Sequence, residues 1–435
     1  MKIDDKVKVK IKSLTYGGQA LAIVDGKVLF VDEGFPDEEL EVQITRAKGN
    51  FAQGVCTQVL VANRGKSPCA YSNECGGCSW LELHYANQLR WKESFIHDAL
   101  SRIGGFKELP SLTMQAAKEQ FFYRNRIQLR GQILTTGKVQ VGYFKKGTRE
   151  QVAVNTCQIA DPALNKIIEY LASMELAKIK PQKFRLELQV LPAAQEQDNP
   201  CILAVLYPIE KWSPENREAK ALGPLIAKLR QHPSMLWAGF AYEVKEQIFS
   251  FERWQGIEYL TIPGIFQQVN VAGNHILRQW IKDRVEKLAP TRVLDLFCGS
   301  GNLSLGLATA GRSVLGVEAS GAAIYCARKT VEKNKLVGMN YRCLDVAKFL
   351  TASLARKETY DLIILDPPRA GLKDLVEKIM ELDAKAILIA ACDPMTLARD
   401  LKILATKYRI EEVTGFDFFP NTYHIETGVM LTNRS

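Results

Sequence analysis

No run of apolar residues in this chain approaches the roughly 20 needed to span a bilayer, so a membrane-crossing helix is excluded and no membrane partner is expected. The first residues, MKIDDKVKVKIK, alternate in charge and lack the apolar core of a secretory signal. The sequence therefore reads as cytoplasmic. In a reducing compartment the 10 cysteines do not form a disulfide framework, so clustering among them points to metal binding or catalysis. Acids are nearly missing from residues 118–149, which hold eight Lys or Arg against one acid, Glu119.

The length of 435 residues exceeds one ordinary domain and allows two or three with real cores. Hydrophobic content of 47% and charged content of 24% are those of a globular protein. A net charge of +9 suits a polyanion partner without establishing one.

Three segments follow. Residues 1–62 read as all-β. Val7, Val9 and Ile11 alternate with lysines, and Asp25-Gly26 is a hairpin signal. Several short strands in so small a segment predict a barrel of the oligonucleotide-binding type. Residues 63–262 are mixed α+β. They open with CAYSNECGGC, and an amphipathic helix over 82–103, closed by Gly104-Gly105, is placed to pack on the catalytic domain. In the basic stretch Phe121, Phe122, Tyr123, Tyr143 and Phe144 are interleaved with the cations, a mixture suited to phosphates and unpaired bases of RNA. An exposed loop is expected over 192–200. Residues 263–435 alternate strands (292–297, 313–318, 340–344, 361–365, 386–391) with helices, a doubly wound, Rossmann-like α/β domain.

In VLDLFCGSGNLSLGLA a strand, a glycine loop and a helix are expected. Gly299 and Gly301 allow close backbone approach to a ligand, but Ser304 stands where a dinucleotide fingerprint has its third glycine. NAD is disfavoured. Glu318 ends the second strand, placed for ribose hydroxyls, and Asp345 ends the third, placed for an adenine amine. Adenosine without a pyrophosphate describes S-adenosylmethionine, and with it a methyltransferase.

Asp366-Pro367-Pro368-Arg369 ends the fourth strand, where stiff prolines present Asp366 at the carboxyl edge of the sheet. Many amine methyltransferases carry an aromatic where Arg369 stands. Cys392 ends the next strand, ahead of an N-cap (Asp393) and Pro394. A helix N-terminus lowers a thiol pKa and a close Asp393 charge opposes it. Cys298 in the glycine loop is the alternative nucleophile. His424 and Glu426 lie on a late strand, on one face, and either could act as a base. Cys69, Cys75 and Cys78, with Cys157 as a possible fourth, gather thiolates that zinc and an iron–sulfur cluster would both accept.

Taken together, FQQVN, DLFCGSGN, DPPRAGL, CDPMTLARD and HIETGV resemble the RNA 5-methyluridine methyltransferase family over roughly 265–431. The front resembles its three-domain members, with a TRAM domain and a cysteine cluster. Within the family the likeness is closest to bacterial enzymes of 23S rRNA. The resemblance implies S-adenosylmethionine-binding roles for Gln268, Phe297, Asn302, Glu318, Asp345 and Asp366. It implies Cys392 as nucleophile and Glu426 as base, with Asp366 also orienting the uracil. It further implies a [4Fe–4S] cluster on Cys69, Cys75, Cys78 and Cys157, and RNA as the partner of a monomer. The domains are then 1–62, 63–262 and 263–435. A tRNA substrate, and an RNA-binding protein with a decayed methyltransferase fold, are the alternatives.

Overall fold

The structure is a computed structural model that describes residues 1–176, 181–192, 200–209, 221–244 and 249–434. Most of the loop expected at 192–200 lies outside these. No helix among the described residues is long and apolar enough to cross a membrane.

The first unit has strands β1 (Lys6–Lys10), β2 (Ser13–Leu14), β3 (Ala20–Val24), β4 (Lys27–Val31), β5 (Glu39–Lys48) and β6 (Phe51–Val61), in the sheet order 1-5-6-4-3-2. One core takes Val9, Leu14, Ala22, Leu29, Val42 and Ala52, a residue from every strand, so the sheet wraps round a shared interior. Asp25 and Gly26, at φ 49° and 74°, make the β3–β4 turn, because a two-residue turn with both φ positive matches the strand twist. Trp80, Leu83 and Phe95 cover this core from outside it.

Next come helix α1 (Tyr85–Asp98), which runs into a wider turn over Ala99–Ile103, and strand β7 (Leu112–Gln115). The central sheet is built from β8 (Arg126–Ile133), β9 (Val139–Phe144), β10 (Gln151–Ala153), β11 (Gln182–Leu191), β12 (Cys201–Pro208) and β13 (Met235–Phe240), ordered 10-9-8-11-12-13. Helices α2 (Pro162–Ala172) and α3 (Gly223–Arg230) cover its apolar face. A hairpin, β14 (Phe249–Trp254) and β15 (Ile257–Thr261), follows.

The last unit contains α4 (Val271–Leu288), β16 (Arg292–Leu296), β17 (Ser313–Glu318), α5 (Gly321–Asn334), β18 (Met339–Cys343), α6 (Val346–Ala355), β19 (Leu362–Leu365), α7 (Leu375–Glu381), β20 (Ala386–Ala391), α8 (Pro394–Leu404), β21 (Tyr408–Phe416) and β22 (Glu426–Asn433). Its sheet runs 18-17-16-19-20-22-21-7. β16 to β20 pair in parallel, and β16, β19 and β20 are buried on both faces. Leu294, Ile363 and Ile387 join one core under α6, α7 and α8, while Val293, Ile364 and Leu388 join another under α4. The strand order reverses at β16, and ligands bind outside the carboxyl ends of strands at such a point.

Two pieces of 63–262 lie in space with this sheet. β7 extends it beside β21, and α1 with the turn after it packs on it through Ile96, Ala99 and Leu100. The β14–β15 hairpin packs on α5 through Tyr259 and Trp254. The helix expected after the glycine loop is not formed: Leu305–Leu307 make a single tight turn. Gly306 has no room for a side chain there, since a Cβ would lie 2.3 Å from Trp254, and Arg278 Nε binds the Asn302 carbonyl at 2.9 Å.

Candidate active site

The carboxyl ends of β16, β17, β19 and β20 open into one cavity of about 810 Å³. Gln268, Phe297, Asn302 and Glu318 line one part of it, and Asp366, Cys392 and Glu426 line the rest. The glycine loop shapes the floor. Phe297 and Gly299 have φ of 61° and 52°, and Gly301 has φ 84° with the Tyr341 hydroxyl 2.8 Å from where a Cβ would stand.

The predicted binding residues are held differently. Glu318 Oε1 accepts from Ser320 N at 2.8 Å, which leaves Oε2 with no hydrogen-bond partner among the described residues. Asn302 is fastened: its Oδ1 accepts from Arg278 Nη2 at 2.6 Å and Asn274 Nδ2 at 2.9 Å. The buried Arg278 is in turn paired with Glu252 at 2.7 Å. Asp345 is not brought to the cavity wall. It is exposed and caps α6, accepting from Lys348 N at 3.1 Å.

Cys392 stands at the step from β20 to α8. Asp393 caps α8, with Oδ1 accepting from Met395 N at 2.9 Å and Thr396 N at 3.1 Å, and Pro394 follows in the first turn. The thiol is nonetheless pushed up to about 11. Burial and the neighbouring Glu426 outweigh Arg369, which favours the thiolate. The capping bonds occupy the charge of Asp393, and the helix end does not prevail over desolvation. Glu426, 6% exposed at the start of β22, has its carboxyl raised well above the usual range by burial. Asp366 is raised to about 7, also by burial. His424 lies ahead of β22 rather than on it, so it shares no strand face with Glu426. Burial and three cations hold its pKa down to about 4, and its Nδ1 is 3.4 Å from Arg369 Nη2. Cys298 is buried and its thiol is raised well above normal by burial.

Two groups of the site went unread in the sequence. Asp295, near the end of β16, is fully buried, and burial lifts it to about 7. A lone acid inside VLDLF was the signal for it. Tyr16 of the first unit reaches the backbone of Cys392, and nothing in its local sequence announces that contact.

A model of the tRNA (uracil-5-)-methyltransferase family matches residues 84–434. The chain belongs to that family. A TRAM domain model matches residues 3–57, which cover most of the wrapped sheet. Among relatives, an uncharacterized RNA methyltransferase of Thermosynechococcus vestitus is 30% identical, covering 98% of each chain. The 23S rRNA (uracil(1939)-C(5))-methyltransferase RlmD of Shewanella amazonensis is 28% identical over 98% of this chain and 95% of its own. The fold is that of the Pyrococcus abyssi tRNA (uracil-54, C5)-methyltransferase, solved with S-adenosyl-L-homocysteine. The TM-score is 0.67 at 22% identity, covering 98% of this chain and 100% of that one. The resemblance read from the motifs is therefore right at the level of the family, and the protein is an RNA uracil-C5 methyltransferase.

Cys69, Cys75, Cys78 and Cys157 line a second cavity of about 360 Å³, between the central sheet and the FQQVN segment. Among the described residues no three Cys, His, Asp or Glu side chains are grouped so as to hold one metal ion. The buried Tyr143 hydroxyl lies on this cavity's wall beside Cys157.

Proposed function

We propose that this methyltransferase transfers a methyl group from S-adenosylmethionine to carbon 5 of a uridine in 23S rRNA, through a covalent Cys392–uracil adduct. The observation that carries the reading is the single cavity that contains both the glycine loop with Glu318 and the trio Asp366, Cys392 and Glu426. The free Glu318 oxygen suits a ribose hydroxyl, and the bare loop backbone suits close approach of the methionine part. When bound there, S-adenosylmethionine supplies an electrophilic methyl.

The chain's own groups do the rest. The Cys392 thiolate adds to uracil carbon 6, which makes carbon 5 enolate-like and able to take the methyl. Arg369 favours the thiolate, while burial and the neighbouring Glu426 oppose it. The Glu426 carboxylate removes the carbon 5 proton and ends as the neutral acid that burial favours. The carbon 5 electron pair then re-forms the double bond, the carbon 6–sulfur bond breaks and Cys392 leaves. Asp366 meets the polar edge of the base. Neutral His424 is a poor base at its low pKa, which supports Glu426 in that part.

Two substitutions test this by failing differently. Cys392→Ala should give neither methyl transfer nor adduct. Glu426→Gln should methylate and then stall, accumulating a protein–RNA band on denaturing gels that needs both S-adenosylmethionine and Cys392. Normal turnover in Glu426→Gln would move the base elsewhere. Methylation by Cys392→Ala would turn attention to Cys298. Full-length likeness to RlmD proteins at 28% and 27% identity supports rRNA as target, and 5-methyluridine mapped to tRNA instead would overturn it.

The second cavity is read as the seat of a [4Fe–4S] cluster on Cys69, Cys75, Cys78 and Cys157. Four thiols lining one cavity supply the donor set, and the Tyr143 hydroxyl lies beside Cys157. Zinc and an iron–sulfur cluster both accept four thiolates, and the choice of the cluster rests on the family resemblance. Anaerobically purified protein should carry about four irons. Stoichiometric zinc without iron would overturn the assignment.

A further inference from the structure

The turn between β2 and β3 is built to project one side chain. Thr15 N binds Gln19 O and Gly18 N binds Thr15 O, both at 2.9 Å, and Gly17 and Gly18 take φ of 115° and 84°. A side chain at Gly18 is excluded, because its Cβ would lie 2.7 Å from the Tyr423 ring. The turn is thus pressed against the loop that leads into Glu426. Tyr16 goes further in. Its ring meets Phe95 and Tyr423 edge-on at 6.0 and 5.9 Å, and its hydroxyl donates to the Cys392 carbonyl at 3.1 Å.

Among the described residues, no other hydrogen bond to that carbonyl is seen. The last ladder pair of β20 is Ala391 with Thr427, and the first helical bond of α8 runs from Leu397 N to Asp393 O. Cys392 sits between the two, outside both regular networks. Arg369 meets its thiol, and Tyr16 holds its peptide. Nothing in the central or catalytic segments duplicates this bond among the described residues.

We propose that Tyr16 is a positioning residue for the nucleophile: the TRAM-domain turn fixes the Cys392 peptide, so that domain completes the catalytic centre as well as contacting RNA. The inference rests on Cys392 being the nucleophile. Near-attack geometry is sensitive to shifts of about 1 Å, which can change a rate by about a hundredfold. The loss of one restraining hydrogen bond is expected to act within that range.

The test is Tyr16→Phe in the full-length protein, which keeps the ring and removes the hydroxyl. The acceptor is total RNA from cells lacking the gene, with labelled S-adenosylmethionine as donor. kcat should fall about tenfold while the KM for S-adenosylmethionine and RNA affinity stay within about twofold. Amide hydrogen exchange, read by mass spectrometry, should quicken over 391–400 and stay unchanged in β3 to β6. Unchanged kcat overturns the proposal. So does a loss of kcat that tracks lost RNA affinity or faster exchange across the barrel, since Tyr16 would then serve RNA binding or folding. If the wild-type protein methylates no RNA, the functional reading fails. Exchange over 391–400 then decides the Tyr16 contact alone: quickening supports it and no change overturns it.

Discussion

Cys392 has to react as a thiolate, yet burial, Glu426 and Asp366 favour its neutral form, and Arg369 works the other way. The sign for pH follows. A thiol raised to about 11 is protonated across the neutral range, so its reactivity should climb with pH rather than level off. Iodoacetamide labelling of Cys392 in the protein without substrates should accelerate about tenfold per pH unit from 7 to 10. Glu426→Gln should bring the midpoint down, because the carboxylate beside the thiol raises it. A plateau by pH 8 would contradict this picture. At this scale the reading of the sequence was uneven for a physical reason. Asp366 and Cys392 each stand at the end of an apolar strand, and Glu426 heads a late one, so their position was legible. Arg278 and Glu252 support Asn302 from positions 24 and 50 residues before it, and no local pattern connects them.

Helix α1 was legible from its apolar period, but its use of Lys92 was not. A lysine in an amphipathic helix reads as solvated, and here it is fully buried, with Nζ 2.6 Å from Asp417 and 3.0 Å from the Phe419 carbonyl. Gln88, one turn earlier, donates to Asn421 Oδ1 at 3.2 Å and accepts from Asn421 N at 2.7 Å. The helix therefore grips the segment 417–421 that leads to His424 and Glu426. Removing one charge of a buried pair strands the other at a cost of about 3–5 kcal/mol, while removing both in a well-packed way is near neutral. Lys92→Met should therefore lower unfolding free energy by about that amount in urea titration. Lys92→Met with Asp417→Leu should recover most of it. Equal losses in the single and double variants would mean that packing, not charge, holds the helix. The other miss at this scale was the segment after the glycine loop, where a helix was expected and a single tight turn over Leu305–Leu307 forms.

At the scale of the molecule, alternation of strands and helices made the doubly wound unit readable from 292 onward, and the paired signals in 1–62 did the same for the wrapped sheet. What linear order concealed was traffic between units: Tyr16 reaching the nucleophile and β7 crossing to the far edge of the catalytic sheet. That last feature sets a schedule for the newborn chain. Leu112 pairs with Val413, 301 positions later. A ribosome adding roughly 5–20 residues per second leaves β7 and the apolar face of α1 without their partner for about 15–60 s. Throughout that interval Ile96, Ala99 and Leu100, all buried in the finished protein, stand open. The front of this enzyme is thus made early but can be finished only after nearly all of it has been translated, which makes the emerging chain a client for protection by chaperones until β21 arrives.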